Sequence, residues 1–217
     1  MEREKLKAKT KLILVTGGAR SGKSAFAEEY AKAAAPGGKV AYIATAQVWD
    51  EEMEFRVRKH KERRPASWQT FEAPTEEMVL AALKKAGKSH EVILFDCLTI
   101  YLSNFLCNCT EDELQNEALL YERVKDMSER IIAALSKMSK TCALVMVTNE
   151  VGAGIVPENH LARVYRDLAG LMNQRLADAA DAVYLSVCGQ AVNLKKLAVT
   201  APEAARGDLG SFEECSL

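Results

Sequence analysis

The chain has 217 residues, 48% of them hydrophobic and 27% charged, with a formal net charge of −1. A chain of this length fills one domain, and this balance of apolar and charged residues is typical of a soluble globular protein. A near-neutral chain argues against a nucleic-acid-binding protein, so any charge that binds phosphate has to be clustered locally.

The apolar runs and the cysteines exclude further classes. Runs such as CALVMV are far shorter than a membrane span, and the charged start MEREKLKAKTK is unlike a signal peptide. The six cysteines, at positions 97, 107, 109, 142, 188 and 215, form neither a CxxC pair nor a zinc-type Cys/His cluster. We expect free thiols in a reducing cytoplasm.

Apolar runs of strand length alternate with helical segments along the chain. The predicted strands cover 12–16, 40–44, 92–96, 143–148 and 183–187, and the predicted helices cover 22–35, 50–64, 74–87, about 112–139 and 157–181. The strands are continuously apolar, which is typical of strands covered on both faces. Alternating strands and helices predict one α/β domain whose mainly parallel sheet has helices on both faces.

The last part of the chain has weaker signals. The run AVNLKKLAV is expected to add one or two edge strands. Residues 200–217 lose periodicity, and residues 1–11 look similar. We predict that both segments are flexible tails of the single domain.

A phosphate-binding loop follows the first predicted strand. The segment GGARSGKS fits the pattern G-x-x-x-x-G-K-[ST] and lies between a strand and a helix, as the mechanism requires. Backbone N–H groups and the helix N-terminus would bind phosphate oxygens, Lys23 would reach the β- and γ-phosphates, and Ser24 would bind Mg²⁺. The pattern predicts a P-loop NTPase-type three-layer fold. The predicted nucleotide-binding residues are Gly17, Gly18, Ala19, Arg20, Ser21, Gly22, Lys23 and Ser24.

A second candidate metal ligand ends the third predicted strand. VILFD places Asp96 after four apolar residues, the pattern of the carboxylate that holds Mg²⁺ in P-loop enzymes. The alternative is an N-cap for a helix that starts near Cys97–Leu98, and the two roles are compatible.

The charged segment 51–65, EEMEFRVRKHKERRP, contains one of the three histidines. Met53, Val57 and His60 fall on one face of the predicted helix, and this helix leaves the carboxyl edge of the sheet, where ligands bind. The cations around His60 would favour neutral imidazole, which is the nucleophilic form. The residues alone leave a catalytic histidine and an ordinary interfacial histidine equally open.

Several motifs together resemble one family. They are GARSGKS, IATAQ, the histidine segment with its following W.T.E, LFDCLTIYLSN and VTNEVGAGIVPENHLARVYRD. From about Leu12 to Lys195 the chain is similar to the bifunctional adenosylcobinamide kinase/adenosylcobinamide-phosphate guanylyltransferase family. The block TNEVGAGIVPE is the most specific part, since a generic P-loop protein would not need it.

The resemblance implies two reactions that build the nucleotide loop of cobalamin. ATP or GTP, with Mg²⁺, would phosphorylate the aminopropanol hydroxyl of adenosylcobinamide. GMP would then pass from GTP to adenosylcobinamide phosphate through a covalent guanylyl-histidine, and His60 is the matching position. The resemblance also implies a homotrimer.

The resemblance extends the set of expected nucleotide-binding residues. Glu72 would bind the guanine or ribose, because a carboxylate accepts from the N1–H and exocyclic amine that guanine has and adenine lacks; the alternative is a surface helix cap. The further residues expected in the nucleotide site are Ala44, Thr45, Ala46, Lys61, Glu62, Arg63, Arg64 and Asp96.

The segment 148–152, which follows the fourth predicted strand, is expected to shape the substrate pocket. Arg163 and Arg166 on the next helix would hold a phosphate or pair with Glu158 and Asp167, and the ion pairs are favoured because they are common on surfaces. The histidines at positions 90 and 160 are not candidates for catalysis.

Two other functions remain compatible with the phosphate loop. The first is a P-loop small-molecule kinase that makes no covalent GMP adduct. The second is a nucleotide-dependent regulatory ATPase, which the TNEVGAGIVPE block argues against through resemblance alone.

Overall fold

The computed structural model describes residues 11–47, 58 and 64–207. The strands are β1 (Lys11–Thr16), β2 (Val40–Ala44), β3 (Gln69–Glu72), β4 (Val92–Asp96), β5 (Ala143–Val147), β6 (Ala182–Val187) and β7 (Gln190–Asn193). The helices are α1 (Lys23–Ala34), α2 (Glu76–Ala86), α3 (Leu98–Cys107), α4 (Glu111–Gln115), α5 (Glu117–Leu135), α6 (His160–Ala179), α7 (Leu194–Leu197) and α8 (Ala201–Ala205).

Within these residues the strands form one seven-stranded sheet in the order β3–β2–β4–β5–β1–β6–β7. Every neighbouring pair is parallel except β6 and β7, which form an antiparallel hairpin. The predicted α/β fold with a mainly parallel sheet is confirmed. Because the parallel strands share one direction, the residues that follow β1, β2, β4 and β5 meet at the same edge, where open α/β sheets bind ligands.

The continuous apolar runs are explained by a core on each face of the sheet. Leu12 and Leu14 of β1 belong to the cluster that faces α2, α3, α5 and α6. Ile13 and Val15 belong to the cluster that faces α1, and all four side chains are buried. Each such side chain contributes about 1.5–3 kcal/mol through removal from water.

The structure differs from the predicted elements at three places. Strand β3 was not predicted, because QTFE at the edge of the sheet is mostly exposed and has no apolar run. The long predicted helix around 112–139 is two helices, since the Asn116 side chain accepts a hydrogen bond from the Leu119 amide and caps α5. AVNLKKLAV supplies one edge strand, β7, and then the short helix α7.

Regular structure also reaches into both predicted tails. Lys11 begins β1, and α8 starts at a capping box between Thr200 and Glu203. The rest of both tails lies outside the described residues, and so does the predicted helix 50–64 apart from Arg58 and Arg64. In the part of the chain that the structure describes, no helix is both long and apolar enough to cross a membrane.

Candidate nucleotide-binding site

The phosphate loop lies between β1 and α1, as predicted. Gly17 and Gly22 have φ values of 153° and 97°. A Cβ on Gly17 would lie 2.4 Å from the Ser186 carbonyl oxygen, and one on Gly22 would lie 2.9 Å from the Gly189 Cα. Both glycines are therefore required by the backbone conformation and by the close approach of the β6–β7 hairpin.

Lys23 begins α1 and reaches back across the loop. Its Nζ donates to the Gly18 carbonyl oxygen at 3.0 Å. Partial burial lowers the pKa of Lys23, while the nearby Cys97 and Asp96 act in the opposite direction. The ammonium group and the Asp96 carboxylate thus belong to one electrostatic environment, although they are far apart in sequence.

Asp96 is the last residue of β4 and lies at the ligand-binding edge of the sheet. Its Oδ2 accepts a hydrogen bond of 2.6 Å from the hydroxyl of Tyr42, a buried residue of β2. Burial, together with the Asp96 charge, raises the pKa of Tyr42 well above its ordinary value, so the phenol stays a donor. The N-cap of α3 is Cys97, with no side-chain cap, so the alternative that Asp96 caps this helix is wrong.

Thr45 follows β2 and is fully buried. Its Oγ1 accepts from the Cys97 amide at 2.9 Å and lies 3.0 Å from the Cys97 carbonyl oxygen. The Asn104 side-chain amide donates to the carbonyl oxygens of Thr45 and Pro74 at 2.8 and 3.0 Å. The Thr45 hydroxyl is therefore used to fix the backbone after β4, and Asn104 fixes the chain after β2 and after β3.

Ala44 and Ala46 flank this buried threonine. Ala44 ends β2 and pairs in register with Asp96 on one side and with Glu72 on the other. Ala46 is half-buried. The structure thus places both alanines at the edge of the sheet that carries Asp96.

Glu72 is the last residue of β3 and borders a cavity of about 400 Å³ with Arg64 and Trp68. The N-cap of α2 is Thr75, whose side chain accepts from the Met78 amide, so the alternative that Glu72 is a helix cap is wrong. The guanidinium of Arg64 lies 3.5 Å from the centre of the Tyr42 ring. Arg64 and Glu72 are therefore brought together at one end of the site.

The segment 148–152 lies directly beside the phosphate loop. The Glu150 amide donates to the Gly17 carbonyl oxygen at 3.2 Å. The Thr148 hydroxyl contacts Asn173 Oδ1 at 2.6 Å, and Asn173 Nδ2 donates to the Asn149 carbonyl oxygen at 3.2 Å. The expected position of this segment at the ligand-binding edge is confirmed, with α6 as its support.

The two arginines on α6 are engaged locally. Arg166 pairs with Asp167 at 2.9 Å, as favoured from the sequence. Arg163 donates to the backbone carbonyl oxygens of Pro157 and Glu158 and not to the Glu158 carboxylate. That part of the ion-pair prediction is wrong.

Four predicted site residues lie outside the described residues, namely His60, Lys61, Glu62 and Arg63. Of the other histidines, His90 precedes β4 and packs edge-on against Phe71, at the opposite end of the strand from Asp96. His160 pairs with Glu117 at 3.1 Å.

Tyr42, Asn104 and Ser186 support the site and were not identified from the sequence. Tyr42 sits in the run VAYIA, where an aromatic residue is typical of a core. Asn104 is a buried amide on a helix that also contains Thr99 and Ser103, so its polarity alone does not mark it in the sequence. Nothing in either run indicates which backbone groups these side chains bind.

The loop, the lysine and the carboxylate at the end of a neighbouring strand define a P-loop nucleotide-binding protein. Residues 13–194 match the family model described as "Cobinamide kinase / cobinamide phosphate guanyltransferase". The chain belongs to this family.

Curated relatives agree with this assignment. The chain is 43% identical over 187 residues to the bifunctional adenosylcobalamin biosynthesis protein CobU of Salmonella typhimurium, covering 85% of this chain and 99% of the relative. It is 40% identical to CobU of Escherichia coli over 85% of this chain and 99% of the relative. It is 37% identical to the similarly named CobP of Pseudomonas aeruginosa over 84% of this chain and 96% of the relative.

Proposed function

We propose that this chain carries out both reactions of its family at one nucleotide site. A nucleoside triphosphate phosphorylates the aminopropanol hydroxyl of adenosylcobinamide, and GMP is then transferred from GTP to the new phosphate, giving adenosylcobinamide-GDP and pyrophosphate. The observation that carries the proposal is the family match over residues 13–194, which spans the phosphate loop, His60 and Asp96 together.

In the kinase reaction the hydroxyl oxygen attacks the γ-phosphorus and the bond to the nucleoside diphosphate breaks. Negative charge develops on the phosphate oxygens, and the loop N–H groups and Lys23 stabilise it. Lys23 already lies over the loop, in contact with Gly18, so little reorganisation is needed.

The residues at the loop fit Mg²⁺. This ion takes oxygen ligands, and in phosphate-transfer sites it needs only one or two from the protein because substrate phosphates and water supply the rest. The Ser24 hydroxyl and the Asp96 carboxylate would hold it, in keeping with the fact that the described residues contain no larger cluster of metal ligands. When bound, Mg²⁺ neutralises phosphate charge.

In the guanylylation reaction the imidazole of His60 attacks the α-phosphorus of GTP. A nitrogen–phosphorus bond forms, and the bond to pyrophosphate breaks. A phosphate oxygen of adenosylcobinamide phosphate then attacks the same phosphorus and releases the imidazole, so two displacements replace one. Lys61, Arg63 and Arg64 favour neutral imidazole by disfavouring a further positive charge.

The described residues on either side of the histidine segment support this role for His60. Gln47 follows β2 at the ligand-binding edge, and Arg64 stacks on Tyr42, which binds Asp96. His60 is four residues before Arg64 in the sequence. Gln47 and Arg64, which lie on either side of His60 in the sequence, are therefore both beside the proposed nucleotide site.

The base selectivity is assigned to Glu72, with Glu62 and Arg63 as further contacts to the nucleotide. Glu72 borders the cavity of about 400 Å³, whose walls also include Trp68 and Arg64. A carboxylate there accepts from the N1–H and amino group of guanine, and adenine offers no such pair of donors. The cavity end of the site therefore selects GTP for the second reaction.

The deciding experiment incubates the protein with α-labelled GTP and Mg²⁺, without corrinoid, and measures acid-labile, alkali-stable label on the protein. We expect label on the wild type and none on His60→Ala. His90→Ala and His160→Ala are the matched controls, because these are the other two histidines of the chain. If the wild type stays unlabelled but still phosphorylates adenosylcobinamide, the protein is a kinase without guanylyl transfer.

We also propose a cytoplasmic homotrimer. This assembly rests on the family resemblance alone. Light scattering of the purified protein coupled to size exclusion measures its mass, and a species three times the 23.8 kDa chain is expected. A monomeric mass at working concentrations contradicts the trimer without affecting either reaction.

A further inference from the structure

The β6–β7 hairpin, at one edge of the sheet, packs against the phosphate loop. Its two-residue turn is Cys188–Gly189, with φ values of 52° and 78°, between the paired residues Val187 and Gln190. Positive φ at both central positions is typical of the type I′ turn, which is common in two-residue hairpins. The turn is therefore defined in position and does not hang from the sheet as a loose loop.

Two hydrogen bonds from this hairpin converge on one oxygen of the phosphate loop. The Ser186 hydroxyl and the Gly189 amide both donate to the Ser21 carbonyl oxygen, each at 2.9 Å. Ser186 is 1% exposed, so its hydroxyl is committed to this contact and not to water. Two donors on one carbonyl fix the plane of its peptide unit more strongly than one would.

The orientation of that peptide decides where a phosphate-binding group points. The Ser21 carbonyl and the Gly22 N–H belong to the same trans peptide unit and therefore point in opposite directions. Because the carbonyl is directed at the hairpin, the Gly22 N–H is directed away from it, to the open side of the loop. Within the described residues this N–H donates to no backbone carbonyl oxygen, and it directly precedes the N-terminus of α1, where anions bind.

The close packing described above makes this arrangement rigid. A Cβ on Gly22 would meet the Gly189 Cα at 2.9 Å, and one on Gly17 would meet the Ser186 carbonyl oxygen at 2.4 Å. The hairpin and the loop therefore touch through backbone atoms at both motif glycines. Backbone atoms in contact leave the Ser21–Gly22 peptide little room to rotate.

We propose that the β6–β7 hairpin orients the phosphate loop, with Ser186 as a positioning residue that aims the Gly22 N–H at a phosphate of the bound nucleotide. The inference rests on the proposed nucleotide site and extends it to an element more than 160 residues away in sequence. It predicts that Ser186 affects every ligand bound through its phosphates, in both reactions, and that the identity of the base is irrelevant to the effect.

The test compares Ser186→Ala with Ser128→Ala in the full-length protein. The two serines are matched, since both are buried and both hydroxyls donate to a backbone carbonyl oxygen, at 2.9 and 2.8 Å. Ser128 lies in α5, which packs against α2, α4 and α6, and its hydroxyl bonds within its own helix to Val124. The binding of GTP and of inorganic pyrophosphate is measured by titration calorimetry, and the thermal midpoint of each variant is measured alongside.

For Ser186→Ala we expect the dissociation constants for GTP and pyrophosphate to rise by the same factor. The factor should be about threefold to tenfold, which corresponds to the free energy of one lost hydrogen bond. For Ser128→Ala we expect a similar loss in thermal midpoint and unchanged binding. A glycine inserted after Cys188, which displaces the Gly189 amide, should weaken binding further.

Two results overturn the proposal in distinguishable ways. If the wild type binds both ligands and folded Ser186→Ala binds them equally well, the hairpin only packs against the loop and the orienting role is wrong. If the wild type binds neither ligand, the proposed nucleotide site is wrong as well.

Discussion

The phosphate loop and the Thr45–Asp96 end of the site, which lies where β2 and β4 end, are held in place by different kinds of contact. The loop is fixed mainly by its own glycines and by backbone atoms of the β6–β7 hairpin. The Thr45–Asp96 end is fixed by side chains, namely the hydroxyls of Thr45 and Tyr42 and the amide of Asn104.

This difference follows from what each end has to bind. Phosphate is the same group in ATP, GTP and pyrophosphate, so a backbone cradle suits all of them. Under the proposed function, the Thr45–Asp96 end would hold the Asp96 carboxylate for Mg²⁺ and precede the segment that contains His60. Individual side chains could change there without altering the cradle, which would allow the two proposed reactions to share one phosphate site.

The largest expected effect is at the cradle itself. Replacing Lys23 with alanine removes a cation that lies over the loop, where its Nζ contacts the Gly18 carbonyl oxygen. We expect kcat/KM to fall by about 10²–10³-fold in both reactions, since a preorganised donor to transition-state charge is lost. Steady-state kinetics of phosphorylation and guanylylation measure this.

Lys32→Ala on the same helix is the matched control, because Lys32 is exposed in the last turn of α1. Wild-type rates are expected for it. Equal losses in both variants would mean that the effect is on the helix and not on catalysis.

A smaller effect is expected at Tyr42, where hydroxyl and ring have separable roles. Tyr42→Phe removes the bond to Asp96 but keeps the ring that Arg64 covers. We expect kcat to fall about tenfold in both reactions. Tyr42→Leu also removes the ring, so guanylylation should fall further than phosphorylation, because Arg64 is four residues from His60.

The ratio of the two rates is the decisive measurement for Tyr42. If Tyr42→Leu lowers both reactions by the same factor as Tyr42→Phe, the ring has no separate role and the two ends of the site are not independent. Circular dichroism of both variants checks that the core around β2 is intact.

Asn104 tests the Thr45–Asp96 end through stability. Asn104→Ala leaves the carbonyl oxygens of Thr45 and Pro74 without their buried donor. Each lost partner costs about 1–3 kcal/mol, so we expect the free energy of unfolding to drop by about 2–6 kcal/mol. Urea denaturation measures the drop, and the KM for GTP should rise as the chain after β2 and β3 loosens.

Asn108→Ala is the control for Asn104, since Asn108 lies one turn further on and is exposed. Its loss of stability should stay within about 1 kcal/mol. An Asn104 variant as stable as the wild type would show that the two carbonyl groups find other donors.

The difference between backbone contacts at the loop and side-chain contacts at the Thr45–Asp96 end also explains which parts of the site the sequence could predict. A backbone cradle requires glycines at fixed spacing, so GGARSGKS indicates the loop, and the buried strand VILFD indicates Asp96. Contacts between side chains and distant backbone leave no such pattern. Tyr42 looks like a core aromatic and Asn104 like one of several polar residues of α3, while β3 has too few apolar residues to predict a strand.

The smallest expected effect is on the rate of cysteine alkylation, which reports on the hairpin without any substitution in it. Burial raises the pKa of Cys142 to about 11, so near pH 8 only about one thiol in a thousand is ionised and Cys142 should resist alkylation. Cys188 and Cys107 are exposed and should react.

Because Cys188 is in the turn that touches the phosphate loop, GTP should slow its alkylation a few-fold and leave the alkylation of Cys107 unchanged. Mass spectrometry of iodoacetamide-treated protein, with and without GTP, follows each cysteine separately. Equal slowing at Cys107 would mean that nucleotide stabilises the whole fold, whereas slowing confined to Cys188 means that it acts on the contact between hairpin and loop.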